Sequence, residues 1–241
     1  MHSLQRKTSA TVLAILFLLS PLLASASALL PRSTTVWSGT VSLPDGYLVQ
    51  SNQVLVIQSG TTVLLGEGER LGVDGRLTVE GTLGSPVLID SISGDHEGLQ
   101  FNTTSMGKNS VVENLTIISS VYGVTIYGSD PEMNNLTVNN ADRVSVDMFN
   151  GASPKFRDLV IEGGGQDIHG ASLSWRYGIG LSFGDGSAPI VENAQINGLV
   201  TRGVNVWANG GGLLAGVNVS NVRGATLAAA AGIWVEDSIP L

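Results

Sequence analysis

The segment APIVENAQI at positions 188–196 decides the fold, because variants of it return along the chain. The other copies are VVENLTI (111–117), DPEMNNLTV (130–138), SPKFRDLVI (153–161) and, more weakly, LLAGVNV (213–219). Each copy is typical of a short strand, a tight turn and a second short strand, since the Asn, Asp or Gly at its centre tolerates positive φ. We therefore predict a repeated strand–turn–strand unit.

A second, shorter phrase alternates with the first. Its copies are GLQF (98–101), GVTI (123–126), RVSV (143–146), GIGL (178–181), GVNV (203–206) and GIWV (232–235), at intervals of 25, 20, 35, 25 and 29 residues. Their apolar residues alternate with a period of two and are mostly β-branched, which indicates strands. Repetition over some tens of residues is typical of stacked repeats. Together the two phrases predict an all-β solenoid with three short strands per rung.

The pattern Pro-x-Val-x-Asn-x-x-Ile followed by Gly-Val-x-Val resembles the right-handed parallel β-helix superfamily, the pectate-lyase-like fold. Residues 52–90 are similar to the opening rungs of extracellular members, with VLVI at 54–57 and LTVEGTL at 77–83. The resemblance covers residues 36–241 and implies a right-handed parallel β-helix. It implies no single activity, because this fold hosts lyases, hydrolases, adhesins and surface proteins.

Residues 1–28 have the pattern of a signal peptide. Arg6 and Lys7 give a positive start, residues 11–23 form an apolar run, and two small-residue cleavage motifs follow at 24–28. The alternative is an uncleaved membrane anchor, since residues 11–30 are just long enough to span a bilayer. Pro21 and the Ser/Ala tail argue against that alternative. We predict an exported protein, located outside the cell or on its surface.

The remaining chain predicts one domain. Residues 29–51 are expected to form an N-terminal cap or a strand leading into the coils, and residues 52–241 the rungs of the β-helix. GIWV at 232–235 opens a new rung, and DSIPL at 237–241 matches the approach to the next turn. A terminal rung without a polar cap is unusual. We therefore expect an incomplete last rung and a sequence that belongs to a longer protein.

Charge and cysteine content narrow the function classes. The absence of cysteine excludes disulfides and Cys-linked lipid attachment. Loss of residues 1–28 removes 2 of the 12 basic residues and none of the 20 acidic ones, which leaves a balance of −10. Such a surface disfavours nucleic acid, anionic membrane and polyanionic substrates, although it also serves solubility. The partner we expect is an extracellular polysaccharide or a cell-surface glycan, with no cofactor and no metal.

One face of the second phrase is expected to point outward as a groove. A strict period of two predicts these outward residues: Gln100, Asn102, Thr125, Tyr127, Ser145, Asp147, Gly180, Ser182, Asn205, Trp207, Trp234 and Glu236. The carboxylates of Asp147 and Glu236 would be about 14 Å apart, beyond the ~5–9.5 Å of a glycosidase pair. No Arg or Lys is expected on this face, so a lyase base is missing. The face is therefore predicted to be without catalysis.

Aromatic residues on this face are the ligand-binding candidates. Tyr127, Trp207 and Trp234 would present ring faces on which a sugar can stack. Neighbouring amides and hydroxyls would bind sugar hydroxyls. The alternative is that these rings pack under loops, as single aromatics commonly do.

The longest insertion, residues 162–177, supplies the remaining candidates. His169 oriented by Asp167 would be a base, and Arg176 would pair with an anion, so these three are weak catalytic candidates. Trp175 and Tyr177 are further ligand-binding candidates. The alternative is a glycine-rich surface loop whose Trp covers the core.

Two further features concern single residues. His96 lies in the polar segment SGDHE (93–97), which is more typical of a turn than of a metal site. Asn102 begins the sequon Asn-Thr-Thr and is the candidate for glycosylation. Asn114 and Asn135 also begin sequons but occupy the tight turn, and the resemblance implies that such amides form a ladder.

The sequence thus leaves two functions open. The favoured one is an exported, non-catalytic β-helix that acts as a surface, adhesion or carbohydrate-binding module. The alternative is a polysaccharide lyase or glycoside hydrolase whose site lies in the 162–177 loop or in further C-terminal rungs that we expect in the longer protein.

Overall fold

The computed structural model describes residues 33–165, 177–224 and 230–236. The predicted signal peptide at 1–28 lies outside the described residues. The same holds for the catalytic candidates Asp167, His169 and Arg176 and for the ligand-binding candidate Trp175.

The described residues form β-strands and one short 3-10 turn at Thr103–Ser105. The strands are β1 Ser33–Trp37, β2 Thr40–Leu43, β3 Tyr47–Val49, β4 Gln53–Gln58, β5 Thr62–Leu65, β6 Arg70–Val73, β7 Arg76–Glu80, β8 Val87–Ser91, β9 Gly98–Phe101, β10 Val111–Ile117, β11 Tyr122–Tyr127, β12 Glu132–Ala141, β13 Val144–Phe149, β14 Lys155–Gly164, β15 Ile179–Phe183, β16 Ile190–Asn197, β17 Arg202–Val206, β18 Leu213–Ser220 and β19 Ala231–Val235. Among these residues no helix is long and apolar enough to cross a membrane.

The described strands are arranged in two parallel sheets. The large sheet has the order β1-β4-β7-β10-β12-β14-β16-β18, with β2, β5 and β8 joined beside it. The small sheet has the order β3-β6-β9-β11-β13-β15-β17-β19. Each strand of the small sheet follows strands of the large sheet in the chain. The prediction of an all-β protein with parallel sheets is confirmed, and the arrangement is compatible with a β-helix-like solenoid.

The large sheet changes at β10. Before β10 each turn of the chain contributes two separate strands to this sheet, and from β10 onward it contributes one continuous strand. Val111–Glu113 pairs with β7, while Leu115–Ile117 pairs with β8. Asn114 forms the joint between the two halves with φ +49°. The equivalent joints are Asn135, Asp158, Asn193 and Gly216, with φ of +53°, +55°, +60° and +66°. The predicted tight turn is thus a single left-handed residue, and each copy of the first phrase is one kinked strand rather than two separate ones.

The core lies along the inward rows of both sheets. In the large sheet Met133, Phe156 and Val191 are register partners and are all 0% exposed. In the small sheet the row Val124, Val146, Leu181 and Val204 is equally buried. Each fully buried side chain of this size contributes about 1.5–3 kcal/mol. The period of two in the sequence therefore identifies the core side of the strands.

Residues 33–49 belong to the same sheets. They lie within the segment for which we predicted a cap or lead-in strand, and they form β1, β2 and β3. These strands pair in parallel with β4, β5 and β6. Trp37 and Tyr47 meet edge to face there, with ring centroids 5.0 Å apart.

Candidate functional site

One row of residues runs along the outer face of the small sheet. Its members are successive register partners, namely Leu48, Gly72, Gln100, Thr125, Asp147, Ser182, Asn205 and Trp234. We call this set the polar row. Its neighbours in each strand belong to the core, so the row faces away from it. The structure therefore places six of the predicted outward residues in one line.

The alternation breaks at the start of these strands, so two predictions are wrong. A Cβ on Gly180 would lie 2.7 Å from Leu199 Cδ1 and 2.8 Å from Ile196 Cγ2, both core side chains. Ser145 occupies the equivalent position in β13 and is fully buried. Between β11 and β13, Tyr122 pairs with Val144 and Val124 pairs with Val146, whereas Gly123 and Ser145 between them are not paired. A bend there turns Gly180 and Ser145 away from the outer face.

A cleft of about 160 Å³ lies over the centre of the polar row. We call it the aromatic cleft; it is lined by Tyr122, Val144, Asp147, Phe149, Ile179, Ser182, Asn205 and Trp207. Asp147, Ser182 and Asn205 form a polar floor, and each is less than 9% exposed. Phe149 was not predicted, although one further step of the alternation along β13 beyond Asp147 would have found it.

Three aromatic side chains form a wall beside the polar floor. The rings of Tyr127 and Phe149 are stacked, with centroids 5.2 Å apart and an interplanar angle of 16°. Trp207 meets Phe149 edge to face at 5.8 Å. The indole reaches Phe149 by lying against Gly184, where a Cβ would be only 2.3 Å from Trp207 Cδ2. The absence of a side chain at Gly184 therefore leaves the space that Trp207 occupies.

Tyr127 keeps its proton at neutral pH. Its pKa is raised above the ordinary value, mainly because burial disfavours the phenolate and secondly because Asp147 is negatively charged. A protonated phenol both donates and accepts hydrogen bonds. Tyr127 thus adds a polar group to an otherwise apolar wall.

Basic side chains border the face, contrary to our expectation. Arg202 donates from Nη1 to Asn205 Oδ1, and its Cζ lies 4.6 Å from the centroid of the Trp234 ring. Burial lowers the pKa of Arg202, but a guanidinium stays charged at neutral pH. The prediction that this face carries no Arg is therefore wrong. The cause is the same bend, because Arg202 is the register partner of Ile179, which also lines the cleft.

A second arginine lies near Tyr122, which lines the cleft. Arg143 donates to the hydroxyl oxygens of Tyr122 at 3.1 Å and of Tyr177 at 3.4 Å. Its Cζ lies 5.2 Å from the centroid of the Tyr177 ring. The hydrogen bond to Tyr122 is the main reason why the pKa of Arg143 is raised. Tyr177, predicted as a ligand-binding residue, is thus held beside Tyr122 by a shared guanidinium.

Trp234 lies at the far end of the polar row. Trp234 is 40% exposed, and its Nε1 donates a hydrogen bond to Glu236 Oε2 at 3.2 Å. Three strand steps separate it from Asp147. At a strand spacing of about 4.8 Å, Glu236 is therefore too distant from Asp147 to act with it as a glycosidase pair. Of the described residues that line the aromatic cleft, Asp147 alone carries a carboxylate.

His96 is a buried structural residue within its turn. The Gly98 N–H donates to Nδ1 at 2.9 Å, and Nε2 lies 2.8 Å from the carbonyl oxygen of Ile118. Nε2 therefore carries the proton and donates it, which makes the ring neutral. In the described parts of the chain, no group of three or more His, Cys, Asp or Glu side chains is arranged to hold a metal ion.

The buried ring predicts a pH-dependent stability. Burial lowers the pKa of His96 below its ordinary value of 6.5. Below pH 6.5 the unfolded chain binds a proton at His96 that the folded protein does not bind. The contribution of His96 to the free energy of unfolding is therefore fully present above pH 6.5 and is lost as the pH falls. We expect the free energy of unfolding to decline as the pH falls through about 6.5, with His96 contributing up to about 1.4 kcal/mol per pH unit.

Denaturant unfolding of the wild-type protein and of His96→Gln across this pH range measures that contribution. Carboxylates titrate in both proteins, so the difference between the two curves isolates His96. Curves of equal steepness would contradict the assignment.

Asn102 is part of a hydrogen-bonded chain of side chains. Its Nδ2 donates to Asp74 Oδ1 at 2.8 Å, and its Oδ1 accepts from Gln100 Nε2 at 2.7 Å. Glycosylation at Asn102 stays a prediction. At the joint of β10, Asn114 donates from Nδ2 to the carbonyl oxygen of Gly81 at 2.8 Å, so that amide serves the strand stacking.

Comparisons with protein-family models, with curated proteins and with solved structures find no match to this chain. The function is therefore inferred from the geometry of the outer face. A cleft with aromatic ring faces, a buried polar floor and nearby guanidinium groups suits a ligand that has both apolar C–H faces and many hydroxyls.

Proposed function

We propose that this protein is a non-catalytic carbohydrate-binding module and that a saccharide binds in the aromatic cleft. The observation that supports this proposal is the wall formed by Tyr127, Phe149 and Trp207 beside the polar floor. The C–H face of a sugar ring would stack on the wall, while Asp147, Ser182 and Asn205 would exchange hydrogen bonds with its hydroxyls. Aromatic rings beside a polar floor on one face suit a sugar ring, which has both C–H faces and hydroxyl groups.

We infer a right-handed parallel β-helix of the pectate-lyase-like kind, with three strands per rung. The alternation of strands between two parallel sheets supports it, and crossovers between parallel strands are right-handed in about 98% of cases. In β10 the joint at Asn114 separates the half that pairs with β7 from the half that pairs with β8, as expected where the first and second strands of a rung meet.

We also propose that the protein is exported from the cell that makes it. Residues 1–28 carry the positive start, apolar run and small-residue cleavage motifs of a signal peptide. A module that binds an extracellular or cell-surface glycan has to leave the cytoplasm. Mass spectrometry of the protein secreted by cells tests this part, and an intact Met1 in the mature protein would contradict it.

Titration calorimetry with the purified protein tests the binding site. We would first screen neutral and acidic polysaccharides on an array and then titrate the best oligosaccharide. Trp207→Ala is expected to weaken binding about 5- to 30-fold, because loss of one stacking face removes about 1–2 kcal/mol. Leu83→Ala is the control, since Leu83 is 87% exposed and outside the cleft. Equal affinities for both variants, or no binding by any glycan, would contradict the proposal.

The alternative function is a lyase or hydrolase, and one observation favours testing it: Asp147 is a nearly buried carboxylate in the floor of the cleft. The same glycans are incubated with the protein, with and without calcium, and new reducing ends and unsaturated products are measured. Cleavage that disappears in Asp147→Asn would make the cleft an active site and replace the binding proposal. Asp167, His169 and Arg176 are tested in the same assay.

A further inference from the structure

A second and larger cleft lies at the other end of the polar row. It has a volume of about 550 Å³, and its lining includes Asp45, Leu48, Glu69, Arg70 and Gln100. We call it the charged cleft. We propose that the charged cleft is a second saccharide subsite and that a single glycan chain, running across the strands, occupies both clefts. This inference rests on the proposed function of the aromatic cleft.

A chain of hydrogen bonds holds Arg70 in place. Its Nη1 donates to Gln100 Oε1 at 2.7 Å, and Gln100 Nε2 donates to Asn102 Oδ1 at 2.7 Å. Asn102 Nδ2 donates in turn to Asp74 Oδ1, which also accepts from Thr104 Oγ1 at 2.6 Å. Each amide fixes the orientation of the next one. The guanidinium is therefore positioned before a ligand arrives, which lowers the entropy lost on binding.

The free groups of the charged cleft match a sugar. The remaining N–H groups of Arg70 are donors, and the carboxylates of Asp45 and Glu69 are acceptors. Hydroxyl groups can use both kinds of partner at once. Hydrogen bonds to charged groups are about twice as strong as those between neutral groups. The cleft can therefore bind adjacent hydroxyls in a fixed geometry.

The charged cleft also has an apolar platform. Leu48 is 40% exposed, and its register partner in the polar row is Gly72. A Cβ on Gly72 would lie 3.0 Å from Leu48 Cδ1, so the Leu48 side chain covers the glycine. Leu48 and Gly72 together form a smooth apolar surface on which the C–H face of a sugar ring can lie.

The two clefts belong to one continuous surface. The polar row runs from Gly72 through Gln100, Thr125 and Asp147 to Ser182, a distance of four strand steps. At about 4.8 Å per step the centres of the two clefts, taken at Gly72 and Ser182, are about 19 Å apart. Their nearest lining residues in the row, Gln100 and Asp147, are two steps or about 10 Å apart. A disaccharide is too short to fill both clefts, whereas a hexasaccharide is long enough. The substrate class is therefore a long-chain glycan, whose second contact becomes intramolecular once the first has formed.

Titration calorimetry of the full chain with short and long probes tests the inference. The probes are cellobiose and cellohexaose, mannobiose and mannohexaose, and the dimer and hexamer of β-1,4-linked N-acetylglucosamine. For the sugar that binds, we expect the hexamer to bind at least about tenfold more tightly than the dimer, because two linked contacts reinforce each other. Arg70→Ala should remove most of this advantage and leave the dimer's affinity unchanged, while Trp207→Ala should weaken both.

Arg157→Ala is the matched control. Arg157 lies on the large sheet, where its Nε is 3.1 Å from Glu192 Oε2, so this variant loses the same charge away from both clefts. Equal affinities of dimer and hexamer, with Arg70→Ala neutral and Trp207→Ala weakened, would overturn the second subsite while the proposed function stands. An equal loss for both probe lengths in Arg70→Ala would also overturn it. If none of these probes binds, the same comparison is made with the dimer and hexamer of the glycan that binds on the array, and failure of every glycan on the array to bind would overturn both proposals.

Discussion

Phe156→Ala is expected to lower the free energy of unfolding by about 3–5 kcal/mol. Phe156 is 0% exposed, and its register partners Met133 and Val191 bury it from both sides in the large sheet. Loss of the ring removes its transfer free energy from water and leaves a cavity between two flanking strands. Stacked strands cannot move together to fill that cavity without breaking the register of the whole row.

Guanidinium unfolding, followed by circular dichroism and by tryptophan fluorescence, measures this loss. Phe156→Leu is the matched control and should cost less than about 1.5 kcal/mol, because most of the volume is kept. A loss under about 1 kcal/mol in the alanine variant would show that this position is not enclosed as described.

The inward rows could be predicted from the sequence because strand geometry leaves little freedom. Once Val124 and Ile126 are assigned to a strand, alternation places both on the same side, and they are both fully buried. The joints were predictable for a similar reason. A backbone that must turn within one residue favours Asn, Asp or Gly, and Asn135 and Asp158 occupy that conformation.

The side chains at the edge of the outer face could not be predicted, because the strand bends at a glycine. Gly180 has no side chain whose polarity would indicate which way the position faces. Gly180 looks like an ordinary first residue of a strand, yet it points toward Leu199 in the core. The alternation therefore starts one residue later than the sequence indicates. This single shift explains why Ser145 was assigned to the wrong side and why Arg202 was missed.

The aromatic wall depends on contacts between residues far apart in the chain. Trp207 and Phe149 were each identifiable as aromatic, but their contact requires Gly184, which directly follows the intervening strand β15, to lack a side chain. No local pattern signals that requirement. The charged cleft is similar, because Arg70 and Gln100 are 30 residues apart and only the stacking brings their side chains together.

Gly98→Ala is expected to destabilise the protein by about 4 kcal/mol or more. Gly98 has φ +78°, a conformation that strains any residue with a Cβ. In addition, a Cβ there would lie 2.1 Å from the carbonyl oxygen of Tyr122 and 2.3 Å from that of Gly123. Both obstacles are backbone atoms of the neighbouring strand, so neither can move aside alone. The Gly98 N–H also donates to His96, so a shift would break that bond too.

Gly186→Ala separates the two causes of this effect. Gly186 has a similar φ of +74°, but a Cβ there would meet no atom within 4 Å. It should therefore cost only the conformational strain, about 1–2 kcal/mol. Thermal and denaturant unfolding of both variants measures the difference, which belongs to the close approach of β11 to Gly98. Equal losses would contradict that close approach.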